Sequence, residues 1–348
     1  MAQDNKYILG IDTSCDETSF AVLKATTGEV LSNTISSQIK LHAPFGGIVP
    51  ELASRSHCEN ISLVCEKSLK DAGITSAQLS AIAVTKTPGL IGCLLVGASF
   101  AKALAFQLNI PLFGVNHLVG HLLSPFMGEK PLFPCLGLVV SGGHTAFYDV
   151  QSFEDISLLG QTVDDAAGEA FDKCAKLLDL GYPGGPVVDR LAKEGNEKAF
   201  NFTVAKVKMG QEYLSFSGLK TAVYHHVQKQ TNITEHIKKD LCASLQSSIV
   251  KALTEKIAFF FKQKKYKVVT VSGGVALNSL LRKRVQEVCD NLCVPCYMAK
   301  PQFCGDNGAM IGYAALMQKH DDELFTLNVH ASKKINARKL KQKLTADC

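Results

Sequence analysis

Ile8-Leu-Gly-Ile-Asp-Thr-Ser-Cys-Asp-Glu-Thr-Ser-Phe-Ala-Val-Leu23 and Cys135-Leu-Gly-Leu-Val-Val-Ser-Gly-Gly-His-Thr-Ala-Phe-Tyr-Asp-Val150 share one plan. Each is an apolar strand, a small polar turn and a second strand. Ser14 and Thr18 in the first copy match Ser141 and Thr145 in the second. The copies lie about 127 residues apart, too far for a solenoid and suited to a duplicated lobe. Around them, short apolar runs alternate with helical periodicity, which specifies an α/β fold. Strands are expected at Tyr7–Ile11, Ser19–Lys24, Ala81–Thr85, Leu112–Val115, Leu136–Val140, Ala146–Val150 and Val268–Ser272. Helices are expected at Pro50–Ala72, Gly89–Leu108, Asp165–Leu178, His236–Lys262 and Ala276–Val288. The His236 segment is the clearest, because Ile237, Leu241, Leu245, Ile249, Leu253, Ile257 and Phe260 form one apolar stripe.

The length of 348 residues accommodates two lobes. We place them at residues 1–130 and 131–325, with the last helix near 305–318 packing back on the first lobe. A basic tail occupies 326–348. Apolar residues make up 46% and charged residues 20%, which excludes a disordered chain. A net charge of +5 permits a nucleic-acid partner without demanding one. Trp is absent and aromatics are 7%, which argues against base-stacking platforms. The twelve cysteines are scattered, several within apolar runs, and no apolar signal region opens the chain, so reduced thiols and a cytoplasmic location are expected. Cys289, Cys293 and Cys296 cluster but lack the fourth ligand of a zinc site. No uninterrupted apolar run is long enough to suggest a membrane span. Ser332–Lys343 carries six positive charges and reads as a solvated end.

Three strand-to-turn junctions have the composition of phosphate loops: Asp12–Thr18, Ser141–Thr145 and Ser272–Asn278. Glycine lets backbone approach a ligand closely, while hydroxyls and free N–H groups bind phosphate oxygens. Asp12 and Asp16 carry the wrong charge to touch phosphate, so they would act through a metal ion or orient water. Asp16 is otherwise a solvated turn carboxylate. His117 and His121, four apart, share one helical face, with Asn116 placed to cap that helix. Leu118 follows His117, so the zinc-protease pattern is absent. A third ligand is required; Asp306 is a candidate, unless it serves as the N-cap of the Gly/Ala-rich helix that follows. In Asp164–Lys173, the residues Asp165, Glu169 and Asp172 make an acidic face. That face is either solvated or, beside the loop Gly181–Pro186, supplies a ribose-binding Asp.

These strings, together with GGIVPELASRSH, SFSGLKTAV, SGGVALN and CGDNGAMIGYAA, resemble the TsaD family of tRNA adenosine threonylcarbamoyltransferases from about Ile8 to Gly312. The resemblance implies the fold shared by actin, hexokinase and Hsp70, with two duplicated lobes around a nucleotide cleft. It also implies a divalent metal, Fe2+ or Zn2+, held by His117, His121 and Asp306. The adenylate of threonylcarbamoyl-AMP would be held by Val139, Val140, Ser141, Gly142 and Gly143 with Asp172, Gly185, Asp189 and Asn278. Asp12 and Asp16 fall in the matching N-terminal loop on the metal side of the cleft and are the candidate catalytic residues. Implied partners are tRNA, a TsaB-like paralogue and a TsaE-like ATPase, with no membrane. The chain departs from the family pattern at Asp12, where Glu is usual. It departs again at Thr85-Lys-Thr-Pro-Gly89, which has a lysine and one glycine fewer, and at Asn116, where a histidine is usual.

The implied reaction is transfer of a carbamoyl group to the N6 amine of a tRNA adenosine, with release of AMP. Lys86, Lys102 and the Lys262–Lys267 cluster are candidate tRNA contacts. Two rival readings share the fold. An ATP-dependent kinase or ATPase has no need of the histidine pair, and a non-catalytic scaffold subunit should have lost it.

Overall fold

The computed structural model describes residues 6–205, 207–228, 233–332 and 335. In chain order the first lobe comprises β1 (Tyr7–Asp12), β2 (Glu17–Lys24), β3 (Val30–Ser37), α1 (Ile39–His42), α2 (Pro50–Asp71), β4 (Leu79–Thr87), α3 (Ile91–Leu108), β5 (Leu112–Asn116) and α4 (His117–Leu123). The second comprises β6 (Cys135–Val140), β7 (Thr145–Val150), β8 (Ile156–Gln161), α5 (Ala167–Leu177), α6 (Gly184–Ala192), α7 (Ser217–Gln228), α8 (Glu235–Gln263), β9 (Val268–Ser272), α9 (Ser279–Asn291) and β10 (Cys296–Met298). α10 (Gly308–Met317) follows.

The duplication is visible in the sheets. One runs β3-β2-β1-β4-β5 and the other β10-β9-β6-β7-β8, so β6 to β10 repeat the order of β1, β2, β3, β4 and β5. In each, the first two pairings are antiparallel hairpins and the rest are parallel. Asp12 pairs with Ser19 where β1 turns into β2, and Val140 pairs with Thr145 at the equivalent place. Both polar turns therefore sit at the ends of central strands that are buried along their whole length. In open α/β sheets, ligands collect at such strand ends.

Three apolar clusters hold the layers. One lies between α2, α3 and the first sheet, around Leu9, Phe20, Ile61 and Ala101. A second lies beneath the helices of the second lobe, around Phe171, Leu245, Leu253 and Val285. The third fills the space between the sheets, where α4 and α10 contribute Val119, Leu122, Met310 and Ile311. α10 packs on β1, β2, β4 and β5. The approach is close because Gly10 and Gly308 lack side chains. A Cβ on Gly10 would lie 2.1 Å from the Gly308 carbonyl oxygen. This contact fixes the start of α10 against the end of β1.

α3 is long and apolar enough to cross a membrane by length and composition. One face of it packs into the lobe, where Cys93, Leu94, Gly97, Ala98, Ala101 and Ala105 are buried, while Ile91, Leu95 and Phe106 are exposed. Three expected helix starts move. α3 begins after Pro88-Gly89, α5 begins at Ala167 rather than Asp165, and α9 begins at Ser279 after a 3-10 turn over Gly274–Leu277. β3, β8, β10, α6 and α7 were not anticipated. The Cys289, Cys293 and Cys296 cluster is not a metal site: Cys289 is buried, Cys293 is exposed, and among the described residues these thiols join no group of ligand atoms close enough to share an ion.

Candidate functional site

α4 is started by Asn116, whose side chain accepts from Leu118 N at 2.9 Å and Val119 N at 3.3 Å. The helix points both imidazoles toward residue 306. His121 Nε2 lies 3.0 Å from Asp306 Oδ1, and His117 Nε2 lies 3.4 Å from the same oxygen. One ligand atom from each of the three lies within 4.8 Å of the others. The alternative reading of Asp306 as the cap of α10 is corrected here: Asn307 is the cap, accepting from Met310 N at 2.9 Å. Capping by the neighbour frees the Asp306 carboxylate.

Behind this trio stands the Asp12–Thr18 turn. Asp12 is fully buried; its Oδ1 accepts from Thr85 Oγ1 at 2.7 Å and Ser14 N at 3.2 Å. Its Oδ2 is 3.3 Å from His117 Nδ1, and Ser14 Oγ is 3.1 Å from that nitrogen. A carboxylate and a hydroxyl behind Nδ1 favour the tautomer that leaves Nε2 as a lone-pair donor, the arrangement common behind metal-ligating histidines. Burial disfavours a charged His117, but Asp306 and Asp12 outweigh it and hold the imidazole well above its ordinary range. Burial likewise opposes ionisation of Asp306, and His117 and His121 reverse that, drawing it well below the usual carboxylate range.

Asp16 is buried rather than solvated. Burial first, and Asp306 second, push its carboxyl up. Glu17 is pushed up to about 9 by burial, then by Asp16 and Asp306. Three carboxyl groups thus crowd one place, an electrostatic situation that a cation relieves. The donor set, two imidazoles and a carboxylate, suits Fe2+ or Zn2+. The buried His121 Nδ1 has no hydrogen-bond partner among the described residues.

The other predicted residues gather in the second lobe. Gly142, Asp172, Gly185, Asp189 and Asn278 line one cleft of about 380 Å³, with Gly168, Phe171, Pro183 and Gly274. Val139 and Val140 do not line it; they are fully buried in β6, facing different apolar clusters. Ser141 begins the turn, where its Oγ accepts from His144 N at 3.1 Å. Gly143 has open space where a Cβ would stand. The acidic face of α5 divides. Lys173 pairs with Asp165 at 2.6 Å and Glu169 at 2.9 Å, whereas Asp172 turns away and accepts from Gly184 N at 2.7 Å. Burial raises Asp172 despite the opposing Gly184 and Gly185 amides. Asp189 accepts from Ser279 Oγ at 2.7 Å. Asn278 caps α9 through Leu281 N and donates to Gln246 Oε1 at 2.8 Å. The Pro-Gly-Gly-Pro stretch, read as a loop, instead forms the first turn of α6.

Two residues escaped the sequence reading. His57 of α2 contacts Thr18 Oγ1 at 2.7 Å and Cys15 O at 3.0 Å, pinning the first turn from behind. His144 is lowered to about 4 by burial and by His117 and His121, which places it in the field of the same pair. Both lie inside quoted motifs, but no spacing rule marks a histidine that meets its partner only in space. A larger cavity of about 830 Å³ lies under residues 197–214 against α8, and none of the predicted site residues lines it.

A family model described as TsaD, tRNA N6-adenosine threonylcarbamoyltransferase, matches residues 29–313. A Trichlorobacter lovleyi protein of that name is 47% identical over 309 residues, covering 88% of this chain and 90% of its own. One from Anaeromyxobacter sp. is 50% identical, covering 88% and 92%. One from Phocaeicola vulgatus is 45% identical, covering 94% and 98%. Among solved structures, full-length HypF superposes with a TM-score of 0.58 at 14% identity, over 94% of this chain and 47% of that one. The activator of 2-hydroxyisocaproyl-CoA dehydratase from Clostridium difficile, with bound ADPNP, gives 0.53 at 14% identity, over 89% and 93%. These two share the fold, the duplicated actin, hexokinase and Hsp70 architecture.

Proposed function

The chain belongs to the TsaD family of tRNA N6-adenosine threonylcarbamoyltransferases, and from that premise we propose that it transfers the threonylcarbamoyl group of threonylcarbamoyl-AMP to N6 of a tRNA adenosine beside the anticodon. The observation that carries the reading is the convergence of His117, His121 and Asp306, in a chain whose second lobe also holds a cleft lined by Gly142, Gly185 and Gly274. A kinase of the same fold needs the cleft but not the trio, and a scaffold subunit needs neither.

In the reaction, the N6 nitrogen attacks the carbamoyl carbon of the mixed anhydride. A C–N bond forms, the C–O bond to phosphate breaks, and AMP leaves with the electron pair. His117, His121 and Asp306 would hold a divalent ion, which when bound supplies a Lewis acid and template for the carbonyl. Asp12 and Ser14 set the His117 ring by holding its far nitrogen, so Asp12 is a positioning residue. Asp16, beside Asp306, is our candidate to receive the amine proton. Asp172, Asp189 and Asn278 form the adenylate wall, and the Ser141–Gly143 turn lies toward the phosphate. Holding both reactants in one geometry supplies much of the rate of a reaction with a poor nucleophile. Water must be kept from the anhydride, and burial of the inner turn serves that end.

A TsaB-like paralogue and a TsaE-like ATPase are the partners we propose, in the cytoplasm where tRNA is modified. Leu63 of α2 and Ile91 and Leu95 of α3 are exposed apolar residues of the first lobe and are our candidate partner contacts. The test is transfer of radiolabelled threonine to unmodified tRNA, with a threonylcarbamoyl-AMP source and both partners. The His117→Ala/His121→Ala variant should abolish label. Equal label from both proteins would keep the reaction and reject the metal site; no label from either, beside a working control complex, would favour the scaffold reading.

A further inference from the structure

The segment between α1 and α2 reaches from the first lobe to the second. Ala43–Phe45 form a single 3-10 turn, closed by Gly46 N donating to Ala43 O at 3.1 Å. Gly46 has φ +66°, a conformation that side chains strain, and a Cβ there would lie 2.9 Å from Lys176 Nζ of α5. His42, which is fully buried, braces the turn. Its Nδ1 accepts from Val49 N at 3.3 Å, so in the neutral ring Nε2 carries the proton and donates to Gln38 Oε1 at 3.2 Å. The chain is thereby held on both sides of the turn, at Gln38 and at Val49. Phe45 stands on this braced turn with its ring exposed.

Against the turn lies a cavity of about 220 Å³. Phe45 and Gly46 of the first lobe line it together with Asp172, Lys176, Asp179 and Tyr182 of the second. Asp172 also lines the 380 Å³ cleft proposed for the adenylate, so cavity and cleft are neighbours with one residue in common. Tyr182 relates the cavity to the metal side. Its phenol is pushed up by burial first, then by Asp16 and Asp172, with Glu17 adding to them. The ring therefore feels acids from both lobes: Asp172 on the adenylate side, and Asp16 and Glu17, which in turn feel Asp306.

We propose that this cavity is the acceptor subsite, taking the target adenine, drawn out of the anticodon loop, against the rings of Phe45 and Tyr182. The proposal rests on the reading of tRNA as substrate and deepens it. A base held in a stack cannot bring its N6 to the donor, so it must leave the stack, and aromatic faces in the protein offset the stacking it gives up. One base needs only two rings; the low aromatic content of the chain excludes an extended platform, not this. The polar lining suits adenine as well. Asp172 and Asp179 are acceptors for an exocyclic amine, and Lys176 is a donor for a ring nitrogen or for the nucleotide's phosphate. A base here has the donor cleft on its Asp172 side and Asp16, our candidate to receive the amine proton, within the field of Tyr182. The threonyl end of the donor is small and polar and gains little from two aromatic faces, which favours the base as occupant.

The test uses the chain assembled with its partner subunits. An anticodon stem-loop carrying 8-azidoadenosine at the target position is irradiated on the complex, and the crosslinked peptides are identified by mass spectrometry. Crosslinks should fall within residues 43–46 or 172–182; crosslinks confined to other segments overturn the subsite. In steady-state transfer, Phe45→Ala and Tyr182→Ala should each lower kcat/KM for tRNA about 5- to 100-fold, with KM for threonylcarbamoyl-AMP within about twofold of wild type. Phe45→Leu keeps apolar bulk without the ring and should lose nearly as much, whereas Phe45→Tyr should recover most of the loss. Phe45 is exposed, so its substitutions leave the core intact. Should Tyr182→Ala fail to fold, Tyr182→Phe keeps the ring and should still crosslink. A wild-type kcat/KM for tRNA in Phe45→Ala overturns the proposal. So does a loss that appears instead in KM for threonylcarbamoyl-AMP, which would give the cavity to the threonyl end of the donor. Crosslinking is read without turnover, so a wild type that crosslinks here but transfers nothing would fail the reaction proposal and leave the base subsite standing.

Discussion

Six glycines surround the second-lobe cleft, and what stands behind each Cα decides its role. A Cβ on Gly168 would meet Ser141 O at 2.6 Å; one on Gly184 would meet Ala175 Cβ at 2.4 Å; one on Gly273 would meet Val140 O at 2.2 Å. Gly273 also has φ +94°, a conformation that side chains strain. Gly142, Gly185 and Gly274 would meet nothing within 4 Å, although all three line the cleft. The first three are needed for the fold and the second three for the ligand. Gly142→Ala and Gly274→Ala should therefore melt within about 2 °C of wild type, yet raise KM for threonylcarbamoyl-AMP about tenfold. Gly168→Ala and Gly273→Ala should each cost roughly 2 kcal/mol or more, about 3 °C or more in Tm. Calorimetry beside donor titration decides, and a Gly274→Ala protein as destabilised as Gly273→Ala would reject the division. The Ser-Gly-Gly strings are conspicuous in sequence, but neighbouring glycines in them differ only by what crosses behind, which only the folded chain supplies.

At the scale of elements, Asp164 shows how a motif can act through another. Its carboxylate accepts from Phe216 N at 2.8 Å, Ser217 N at 3.3 Å, Ser217 Oγ at 2.8 Å and Ser215 Oγ at 2.5 Å, at the start of α7. It therefore ties DDAAGEAFDK to SFSGLKT and fixes how α7 packs on α5, the helix bearing Asp172. Partial burial opposes ionisation of Asp164, but the Ser215 and Ser217 hydroxyls and the two amides outweigh it and draw its carboxyl below the ordinary value. A depressed folded-state value contributes stability above the unfolded value near 4 and loses it as pH falls through the folded one. Urea midpoints of wild type and Asp164→Asn should differ most at pH 7 and converge as pH falls below the ordinary carboxylate range. A gap that persists into acid would assign the effect to shape rather than charge. The elements missed by sequence have a common physical cause. β3, β8 and β10 are outer strands of their sheets, with half-exposed or short runs that lack the continuous apolar character of β1, β6 and β9. α6 begins with residues that ordinarily break helices. The buried strands and the long α2, α3 and α8 were legible because their apolar residues answer to one packing surface each.

At the scale of the whole molecule, the candidate metal site is a product of chain return. His117 and His121 come from the end of the first lobe, while Asp306 arrives 185 residues beyond His121, carried by α10 as it docks on β1 through Gly10 and Gly308. The histidine spacing was legible in sequence as a pair, and Asp306 only as an option, since a local N-cap would have looked identical until Asn307 took that role. A site assembled from both ends exists only when both ends are docked, so an ion bound there selects the native state over the unfolded one. Native-only binding stabilises by RT ln(1 + [L]/Kd), about 2.7 kcal/mol at a hundredfold excess over Kd, or about 4 °C in Tm for a chain of this size. Anaerobic Fe2+, and Zn2+ separately, should therefore raise the Tm of the chelator-treated protein, and a chelator should reverse the shift. His117→Ala/His121→Ala will start from its own Tm, so the quantity compared is the shift on adding metal, which should vanish. Gly10→Ala supplies the complementary case, with all three ligands kept and the docking of α10 spoiled; its metal-dependent shift should shrink as well. A double histidine variant that still gains the full shift would place the bound ion elsewhere, and an unchanged shift in Gly10→Ala would mean that the ligands find one another without the helix that carries Asp306.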